Sequence, residues 1–502
     1  MYNIMSPKAE EFINNEEILS SIAYGLENKS NRPLIKSILK KARNFKGISH
    51  REAIVLLECD LEDLNQSIAS LAREIKEKFY GNRIVMFAPL YLSNYCVNNC
   101  TYCPFHYKNK TIPRKKLTQE EIKKEVIALQ NMGHKRLALE LGEDPINNPI
   151  EYILESINTI YNIKHKNGAI RRVNVNIAAT TTENYRKLKE AEIGTYILFQ
   201  ETYNKDAYKE LHPSGPKANY AYHTEAMDRA IDGGIDDVGI GVLFGLELYR
   251  YDFVGLLMHA EHLEAYKGIG PHTISVPRIR PADDINIDEF TNAISDEIFE
   301  KIISIQRIAV PYTGIIVSTR EDQKVREKVL SLGVSQLSGG SKTDVGGYSV
   351  NVKNENESSH FDSNQSDAAQ FNSDKSDLNQ TNLDQSDAAQ FSIEDTRTLD
   401  EIVNWLVSLG YIPSFCTACY REGRTGDRFM SLVKSGQIAN CCQPNALITL
   451  KEYLCDYASD DTKQKGIALI EKELLKIPND KVKQTASDFI QKIAQGERDF
   501  RF

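Results

Sequence analysis

Eight short apolar runs between residues 83 and 342 constrain the fold of this chain more than any other feature of its sequence. Helical patterns separate them, as in TQEEIKKEVIALQNMG, where Thr118 and Glu121 form a capping-box signal. Eight strand–helix units in succession predict an α/β fold, a parallel (β/α)8 TIM barrel, with its chemistry at the C-terminal ends of the strands. The predicted strands are RIVMFAPL, RLALELGE, VNVNIAAT, TYILFQET, VGIGVLFGL, HTISVPRI, TGIIVSTR and VSQLSGGSK.

The segments around these runs differ in composition. Residues 1–82 have apolar positions at helical spacing, which predicts an N-terminal helical region. The barrel is predicted over residues 83–410, with a low-complexity insertion at 350–392 that is rich in Asn, Asp, Ser and Gln. Because this insertion has too little apolar surface to fold, we predict a mobile surface segment without catalytic duty. A sticky interaction tract is the alternative.

Charge and cysteine content restrict the function further. A net charge of −9 with 26% charged residues gives no sign of a nucleic-acid or membrane partner. The N-terminus has no apolar signal segment and no stretch is long enough to span a bilayer, so we predict a cytoplasmic protein. Nine cysteines in such a protein favour metal or redox chemistry over disulfides. Cys59 and Cys455 fall on apolar helical faces and are predicted to be buried packing residues.

The first cysteine group follows the first predicted strand and has the pattern C-x3-C-x2-C, formed by Cys96, Cys100 and Cys103. Three thiolates this close can hold three corners of a [4Fe–4S] cluster, which leaves the fourth iron open to substrate. A zinc site with His106 as fourth ligand is the alternative. The motif resembles the signature of the radical SAM enzymes. That resemblance implies an enzyme that cleaves S-adenosylmethionine (SAM) to make a radical, with these cysteines as its catalytic cluster ligands.

The C-terminal region, residues 411–502, is predicted to be a mostly helical cluster-binding domain, with a capping box at Thr449 and Glu452. It contains a second group of three cysteines, Cys416, Cys419 and Cys442. Three thiolates again leave one open iron, which predicts an auxiliary [4Fe–4S] cluster. A structural metal site that fixes this domain is the alternative. The adjacent Cys441 could replace Cys442.

Longer segments narrow the resemblance. FQETY (199–203), GPHTISVPRI (270–279) and VSTRE (317–321) resemble the aromatic-amino-acid lyase branch of the radical SAM enzymes, which includes the 2-iminoacetate synthase of thiamine biosynthesis. CTACYREGRTGDRFM and CCQPNALITLKEYLCDYAS are similar to the C-terminus of the two-cluster tyrosine lyases that mature [FeFe]-hydrogenase. The resemblance extends over most of the chain apart from the insertion, and it selects Cys442 by spacing.

This resemblance implies roles for individual residues. Glycine permits close backbone approach and a carboxylate pairs with an ammonium, so SAM is expected at Tyr102, Gly142, Glu143, Glu201, Gly241 and Gly245. Glu201 could instead bind the substrate or pair within the barrel. Arg320, with support from Ser318 and Ser275, is the predicted partner of the substrate carboxylate, because a guanidinium forks onto it with two donors. A salt bridge from Arg320 to Glu321 is the alternative.

His272, placed at the end of the sixth predicted strand, is the predicted ligand of an additional iron, which the auxiliary cluster would hold together with a free cysteine molecule; a hydrogen-bonded structural histidine is the alternative. The same resemblance implies the biochemical function of the chain. The chain is expected to cleave tyrosine to p-cresol and dehydroglycine, and then to form CO and cyanide at the auxiliary cluster for hydrogenase maturation. Expected partners are an electron donor such as ferredoxin or flavodoxin and the other hydrogenase maturation proteins. The alternatives are a 2-iminoacetate synthase, which stops at dehydroglycine, and an iron–sulfur carrier without catalysis.

Overall fold

The computed structural model describes residues 1–349, 389–436 and 439–502 of the chain. Its centre is a closed barrel of eight parallel strands, β1, β2 and β5 to β10, and each predicted run contributes one of them. Strands β3 and β4 form a small antiparallel hairpin outside the barrel. In chain order the strands are β1 Arg83–Ser93, β2 Arg136–Leu141, β3 Lys164–His165, β4 Gly168–Ala169, β5 Arg172–Asn176, β6 Tyr196–Ile197, β7 Val238–Gly241, β8 Thr273–Ser275, β9 Gly314–Val317, β10 Gln336–Ser338 and β11 Ile412–Ser414.

Strand β1 closes the barrel and also connects it to the C-terminal region. It pairs with β10 through Val85–Phe87 and with β2 from Ala88 onward. Its first residues, Arg83–Val85, also pair in parallel with β11. Because β11 joins the beginning of β1, the chain enters the C-terminal region beside the N-terminal mouth of the barrel.

The helices surround the barrel and cover both of its mouths. Their bounds are α1 Ala9–Phe12, α2 Asn15–Glu27, α3 Arg32–Ala42, α4 His50–Glu58, α5 Glu62–Tyr80, α6 Gln119–Asn131, α7 Ile150–Asn162, α8 Thr182–Glu190, α9 Lys205–Leu211, α10 Tyr220–Thr224, α11 Ala226–Asp232, α12 Tyr249–Lys267, α13 Asp296–Ala309, α14 Gln323–Leu332, α15 Leu399–Ser408, α16 Ala418–Arg421, α17 Gly426–Lys434, α18 Ala439–Asp456, α19 Asp460–Leu474 and α20 Asp480–Ala494. Helices α2, α4 and α5 pack on α12 and α13, while α18 packs on α19, α20 and β11.

Helix starts are set by local sequence where caps are present. Thr118 accepts a hydrogen bond from the Glu121 amide, and the Glu121 carboxylate accepts one from the Thr118 amide, which confirms the predicted capping box. The capping box predicted at Thr449 and Glu452 is wrong. Both residues lie inside α18, where Thr449 donates to the Asn445 carbonyl at 3.0 Å and Glu452 pairs with Arg171.

Two other expectations need correction. Most of the insertion predicted at 350–392 lies outside the described residues, but its last residues pack on the barrel, and Phe391 is only 8% exposed. Cys455 is exposed rather than buried, whereas Cys59 is buried as predicted. Within the described ranges, none of the helices combines the length and apolarity that a bilayer span needs.

Candidate active site

The first cysteine group lies in the loop that leaves the C-terminal end of β1. The loop is fastened to the end of β2, because the Val97 amide donates to the Glu143 carbonyl at 2.8 Å and the Asn98 side chain donates to the Glu143 carboxylate at 2.6 Å. Cys96, Cys100 and Cys103 all line one cavity at this end of the barrel. The loop thus holds three thiols around a single space, as its spacing predicts.

Gly142 makes this close approach of loop and strand possible. A Cβ atom on Gly142 would lie 2.4 Å from the Tyr95 carbonyl oxygen and 2.9 Å from Cys96 Cβ. The Asn148 side chain donates to the carbonyl oxygens of both Gly142 and Tyr95 and ties the two segments together. Only glycine fits at this position without moving the cysteine loop.

The donor set fits an iron–sulfur cluster. Burial raises the pKa of Cys103 to about 12 and also raises the pKa values of Cys96 and Cys100, so the thiolates need a positive centre to offset their desolvation. The three thiols on the cavity wall fit three corners of a [4Fe–4S] cluster, in which each thiolate binds a different iron. The other predicted zinc ligand, His106, lies 3.2 Å from Asp284.

Glu201 and Lys217 form an ion pair on the wall of the same cavity, and the sequence analysis missed Lys217. The Lys217 ammonium donates to the Glu201 carboxylate at 2.8 Å. Despite its burial, the nearby Glu201 and Cys100 raise the Lys217 pKa, so the ammonium stays charged. Glu201 has a φ of 69°, a conformation that is strained for a residue other than glycine. The turn after β6 thus holds an acid–base pair beside the cysteines.

Tyr102 lines this side of the cavity, whereas the predicted SAM-site glycines Gly241 and Gly245 do not line it. The Tyr102 hydroxyl lies 2.8 Å from His212 Nε2, and burial lowers the pKa of His212 to about 3, so that this imidazole is neutral. A Cβ atom on Gly241, at the end of β7, would lie 2.7 Å from the Ser275 carbonyl oxygen, and Gly245, with φ +112°, would place one 2.6 Å from Ile279. Both glycines therefore allow close packing of the backbone near the cavity wall.

A second part of the cavity surrounds Arg320, just after β9. The Arg320 guanidinium lies over the Phe391 ring, with 3.4 Å between Cζ and the ring centroid. Glu321 pairs instead with Arg278 and Arg280, so the predicted alternative of an Arg320–Glu321 salt bridge is wrong. Ser318 and Ser275 line this part of the cavity too.

Two further residues here were not identified from the sequence. Glu140, at the end of β2, lines both parts of the cavity, and burial raises its pKa to about 8. Gln390 lies near the end of the predicted low-complexity insertion and accepts a hydrogen bond from the Tyr91 hydroxyl at 2.6 Å. Glu140 could have been found as an acidic residue at the end of a predicted strand. Gln390 and Phe391 could not, because the polar, low-complexity composition around them predicts no packed structure.

The second cysteine group lies at the opposite, N-terminal mouth of the barrel. Its three members line a separate cavity and are called here the auxiliary cysteines: Cys416, Cys419 and Cys442. The Cys419 thiol donates to the Cys442 sulfur, which lowers the pKa of Cys442. Burial raises the pKa of Cys416 to about 11. Cys441 lies 3.7 Å from Arg424 and is not among the residues that line this cavity, so the geometry favours Cys442 as the third ligand.

His272 lines the cavity of the auxiliary cysteines, although the position predicted for it was wrong. It precedes β8 instead of ending it, because the run HTISVPRI continues beyond the three strand residues. Its Nε2 lies 3.2 Å from the Tyr420 hydroxyl, and its Nδ1 lies 3.5 Å from the Asp237 carboxylate. Burial lowers the pKa of His272, which favours the neutral imidazole that binds iron.

Three buried arginines begin three strands around this mouth and form what we call the arginine collar: Arg83, Arg136 and Arg172. Arg136 donates to the Cys416 carbonyl at 2.9 Å. Among the described residues, Arg136 Nε, Arg172 Nε, His272 Nδ1 and Asp237 Oδ2 are buried without a hydrogen-bond partner. Buried polar atoms are normally paired, so this group of unpaired atoms indicates a ligand site, and the positive collar fits an anionic cluster.

The two cavities are successive layers along the barrel axis. Phe87, Ala138 and Ser338 line the upper cavity, while the residues two positions earlier on the same strands line the lower one, namely Val85, Arg136 and Gln336. Residues two apart on a strand point to the same side and are about 7 Å apart. Adjacent layers of barrel side chains therefore line the two cavities.

Comparisons with known proteins agree with this architecture. Residues 90–260 match the Radical SAM superfamily, and residues 275–412 match the Biotin and Thiamin Synthesis associated domain. The chain is 29% identical over 311 residues to 2-iminoacetate synthase from Salmonella typhimurium, an alignment that covers 62% of this chain and 80% of that protein.

Two solved structures resemble nearly the whole chain. A crystal structure of HydG, described as a maturase of the [FeFe]-hydrogenase, is 52% identical with a TM-score of 0.88, and the match covers 98% of this chain and 100% of that one. The [FeFe]-hydrogenase maturase HydG from Carboxydothermus hydrogenoformans is 36% identical with a TM-score of 0.76, over 96% and 99% of the two chains. Both similarities include the C-terminal region that holds the auxiliary cysteines.

Proposed function

Because the chain belongs to the HydG family of radical SAM enzymes, we propose that it is a tyrosine lyase of [FeFe]-hydrogenase maturation. Tyrosine would be cleaved to p-cresol and dehydroglycine in the upper cavity, and dehydroglycine would give CO and cyanide at the auxiliary cysteines. The observation that supports this best is that one barrel holds two cysteine-lined cavities, one at each mouth, and that adjacent layers of its side chains line them.

In the upper cavity, Cys96, Cys100 and Cys103 would hold a [4Fe–4S] cluster. When bound, this cluster supplies the electron that cleaves SAM to methionine and a 5′-deoxyadenosyl radical. SAM is a zwitterion at its methionine end, and the wall offers one group of each sign for it. Glu143 would take the SAM ammonium and Lys217 its carboxylate, while Tyr102 would lie beside the adenine.

Tyrosine would bind on the other side of this cavity. Arg320 is buried, and among the described residues no carboxylate lies within ion-pair distance of it, so its two N–H donors are available for the tyrosine carboxylate. Phe391 holds the guanidinium plane from one side. Glu140, with its raised pKa, would accept the tyrosine amino group and hold or release its proton close to neutral pH. The closed barrel keeps water away from the radical.

At the lower mouth, the auxiliary cysteines would hold the second cluster and His272 the additional iron, while the arginine collar balances their negative charge. A free cysteine molecule would complete that iron's ligands. This arrangement distinguishes the proposal from a 2-iminoacetate synthase, which has no use for a second cysteine-lined cavity.

Anaerobic incubation of the reconstituted protein with SAM, dithionite and tyrosine tests the proposal. We expect 5′-deoxyadenosine, p-cresol, CO and cyanide. Without p-cresol the lyase assignment fails, and p-cresol without CO would identify a lyase that stops at dehydroglycine. Iron and sulfide present without either product would identify an iron–sulfur carrier.

A further inference from the structure

Tyr420 forms part of the wall between the cavity of the auxiliary cysteines and a second, broader cleft that opens on the outside of the barrel. It is the residue that lines both spaces. Its hydroxyl lies 3.2 Å from His272 Nε2 and 3.2 Å from Thr195 Oγ1. One side chain, fixed by two hydrogen bonds, therefore separates the auxiliary cavity from the cleft.

The rest of this wall is polar and incompletely paired. His272 lines the inner cavity and Asp237 lines the cleft, and 3.5 Å separates His272 Nδ1 from the nearer Asp237 oxygen. Arg172 lies on the cleft side of the Tyr420 ring, with its Cζ 3.5 Å from the ring centroid, and Arg136 lies on the inner side at 5.4 Å. Each of these two arginines is more than nine-tenths buried and has an unpaired Nε. Buried donors without partners on both faces of a wall indicate that a polar species visits them.

Carboxylates balance the basic side chains of the cleft in number, because Arg171, Arg498 and Arg501 pair with Glu452, Asp456 and Glu422. The positive charge at the wall is instead local. Arg172 is buried beside the Tyr420 ring, and among the described residues no carboxylate lies within ion-pair distance of it. A buried cation without a counter-charge attracts small anions.

We propose that this cleft is the exchange port of the auxiliary cavity. Small anions pass between solvent and the auxiliary cysteines when the Tyr420 side chain leaves His272 and Thr195, and Arg172 binds them at the opening. The inference rests on the proposed function and extends it: cyanide and the carboxylate end of a free amino acid both carry the negative charge that Arg172 would bind. Tyrosine and SAM, in contrast, reach the upper cavity from the opposite mouth.

The test measures how fast added cyanide reaches the auxiliary cluster in the dithionite-reduced holoenzyme, by freeze-quench EPR of that cluster. SAM is present so that the EPR signal of the SAM-binding cluster can be told apart from that of the auxiliary cluster. We expect Tyr420→Ala to accelerate the cyanide-dependent spectral change at least 10-fold. Tyr420→Phe, which keeps the ring but removes both hydrogen bonds, should accelerate it several-fold. Arg172→Gln should slow it and weaken its dependence on ionic strength.

Phe429→Ala is the matched control, because Phe429 also lines the auxiliary cavity and lies beside His272 but does not line the cleft. It should leave the cyanide rate unchanged. Equal cyanide rates in wild type, Tyr420→Ala and Tyr420→Phe would contradict the proposed exchange port. An acceleration by Phe429→Ala equal to that by Tyr420→Ala would contradict it too. If Tyr420→Ala loses its clusters, the Tyr420→Phe and Arg172→Gln rates decide. Failure of the proposed function would be detected separately: the wild-type protein would then produce no CO, independently of the cyanide rates.

Discussion

Substitution of Gly142 by alanine should disable the upper site while leaving the lower one intact. Gly142 follows β2 and touches the cysteine loop through the backbone of Tyr95, so an added methyl group meets main-chain atoms that a rotamer change cannot move. The loop that holds Cys96 would have to move away from β2. The auxiliary cysteines lie at the other mouth of the barrel and do not contact this segment.

The displacement can be worked out from the distances. The new Cβ would lie 2.4 Å from the Tyr95 carbonyl oxygen, while Cβ atoms essentially never approach another atom within 3.0 Å, so at least 0.6 Å of movement is required. A misplacement on the order of 1 Å at a reacting centre lowers rates roughly 100-fold. We therefore expect 5′-deoxyadenosine and p-cresol formation to fall about 100-fold in Gly142→Ala, and the EPR change on SAM addition to be lost.

The assay is anaerobic product analysis with SAM, dithionite and tyrosine, together with EPR of both clusters. Gly268→Ala serves as the control, because Gly268 has φ +73° but no heavy atom within 4 Å of its added Cβ. It should lose about 1 kcal/mol of stability from backbone strain and keep its rates. Normal 5′-deoxyadenosine formation by Gly142→Ala would refute the argument that close approach of the strand positions the cluster loop.

Four other substitutions test three separate parts of the site. Arg320→Lys replaces a two-donor fork by a single ammonium, which should cost about 1.5–3 kcal/mol and raise the KM for tyrosine about 10- to 100-fold in steady-state p-cresol assays; an unchanged KM would remove Arg320 from substrate binding. Cys442→Ala should abolish CO while p-cresol remains, and Cys441→Ala should keep both products by gas and liquid chromatography; the reverse pattern would make Cys441 the ligand. Burial raises the pKa of Glu140 to about 8, so the wild type loses stability as the pH rises from the ordinary carboxyl pKa to about 8. Relative to wild type, Glu140→Gln should therefore gain about 1.4 kcal/mol per pH unit across that range in anaerobic urea unfolding, and a pH-independent difference would contradict the shift.

Much of the barrel was predictable because each strand is a local pattern. Every predicted run contains one strand of the closed sheet, and the Thr118–Glu121 cap starts its helix as expected. Gly142 and Glu143 were expected at the site from the resemblance to the radical SAM enzymes, which have a glycine–glutamate element at the end of the second strand. These features depend on a few neighbouring residues, and the sequence contains that information directly.

The features that were missed depend on long-range packing. The last residues of the predicted low-complexity insertion share its polar composition, yet Phe391 among them is buried against Arg320, about seventy residues away in the chain. The cap predicted at Thr449 failed because α18 begins ten residues earlier and runs through Pro444. The position of His272 failed because a continuous apolar run does not mark where β8 begins and ends. The pairing of β11 with the start of β1, which places the auxiliary cysteines at the lower mouth, joins residues more than 300 positions apart.

The charges at the two mouths differ in a way that matches what each site would handle. SAM and tyrosine are both zwitterionic amino acids, and each needs one acidic and one basic partner. The upper cavity provides two such pairs, Glu143 with Lys217 and Glu140 with Arg320, and no simpler set would orient two amino acids at once. The lower mouth has the arginine collar with Asp237 as its nearby carboxylate, a balance that suits a cluster and small ligands with net negative charge. Because charge of one sign does not orient a zwitterion, and paired charges do not attract an anion, each end of the barrel is suited to its own step and not to the other.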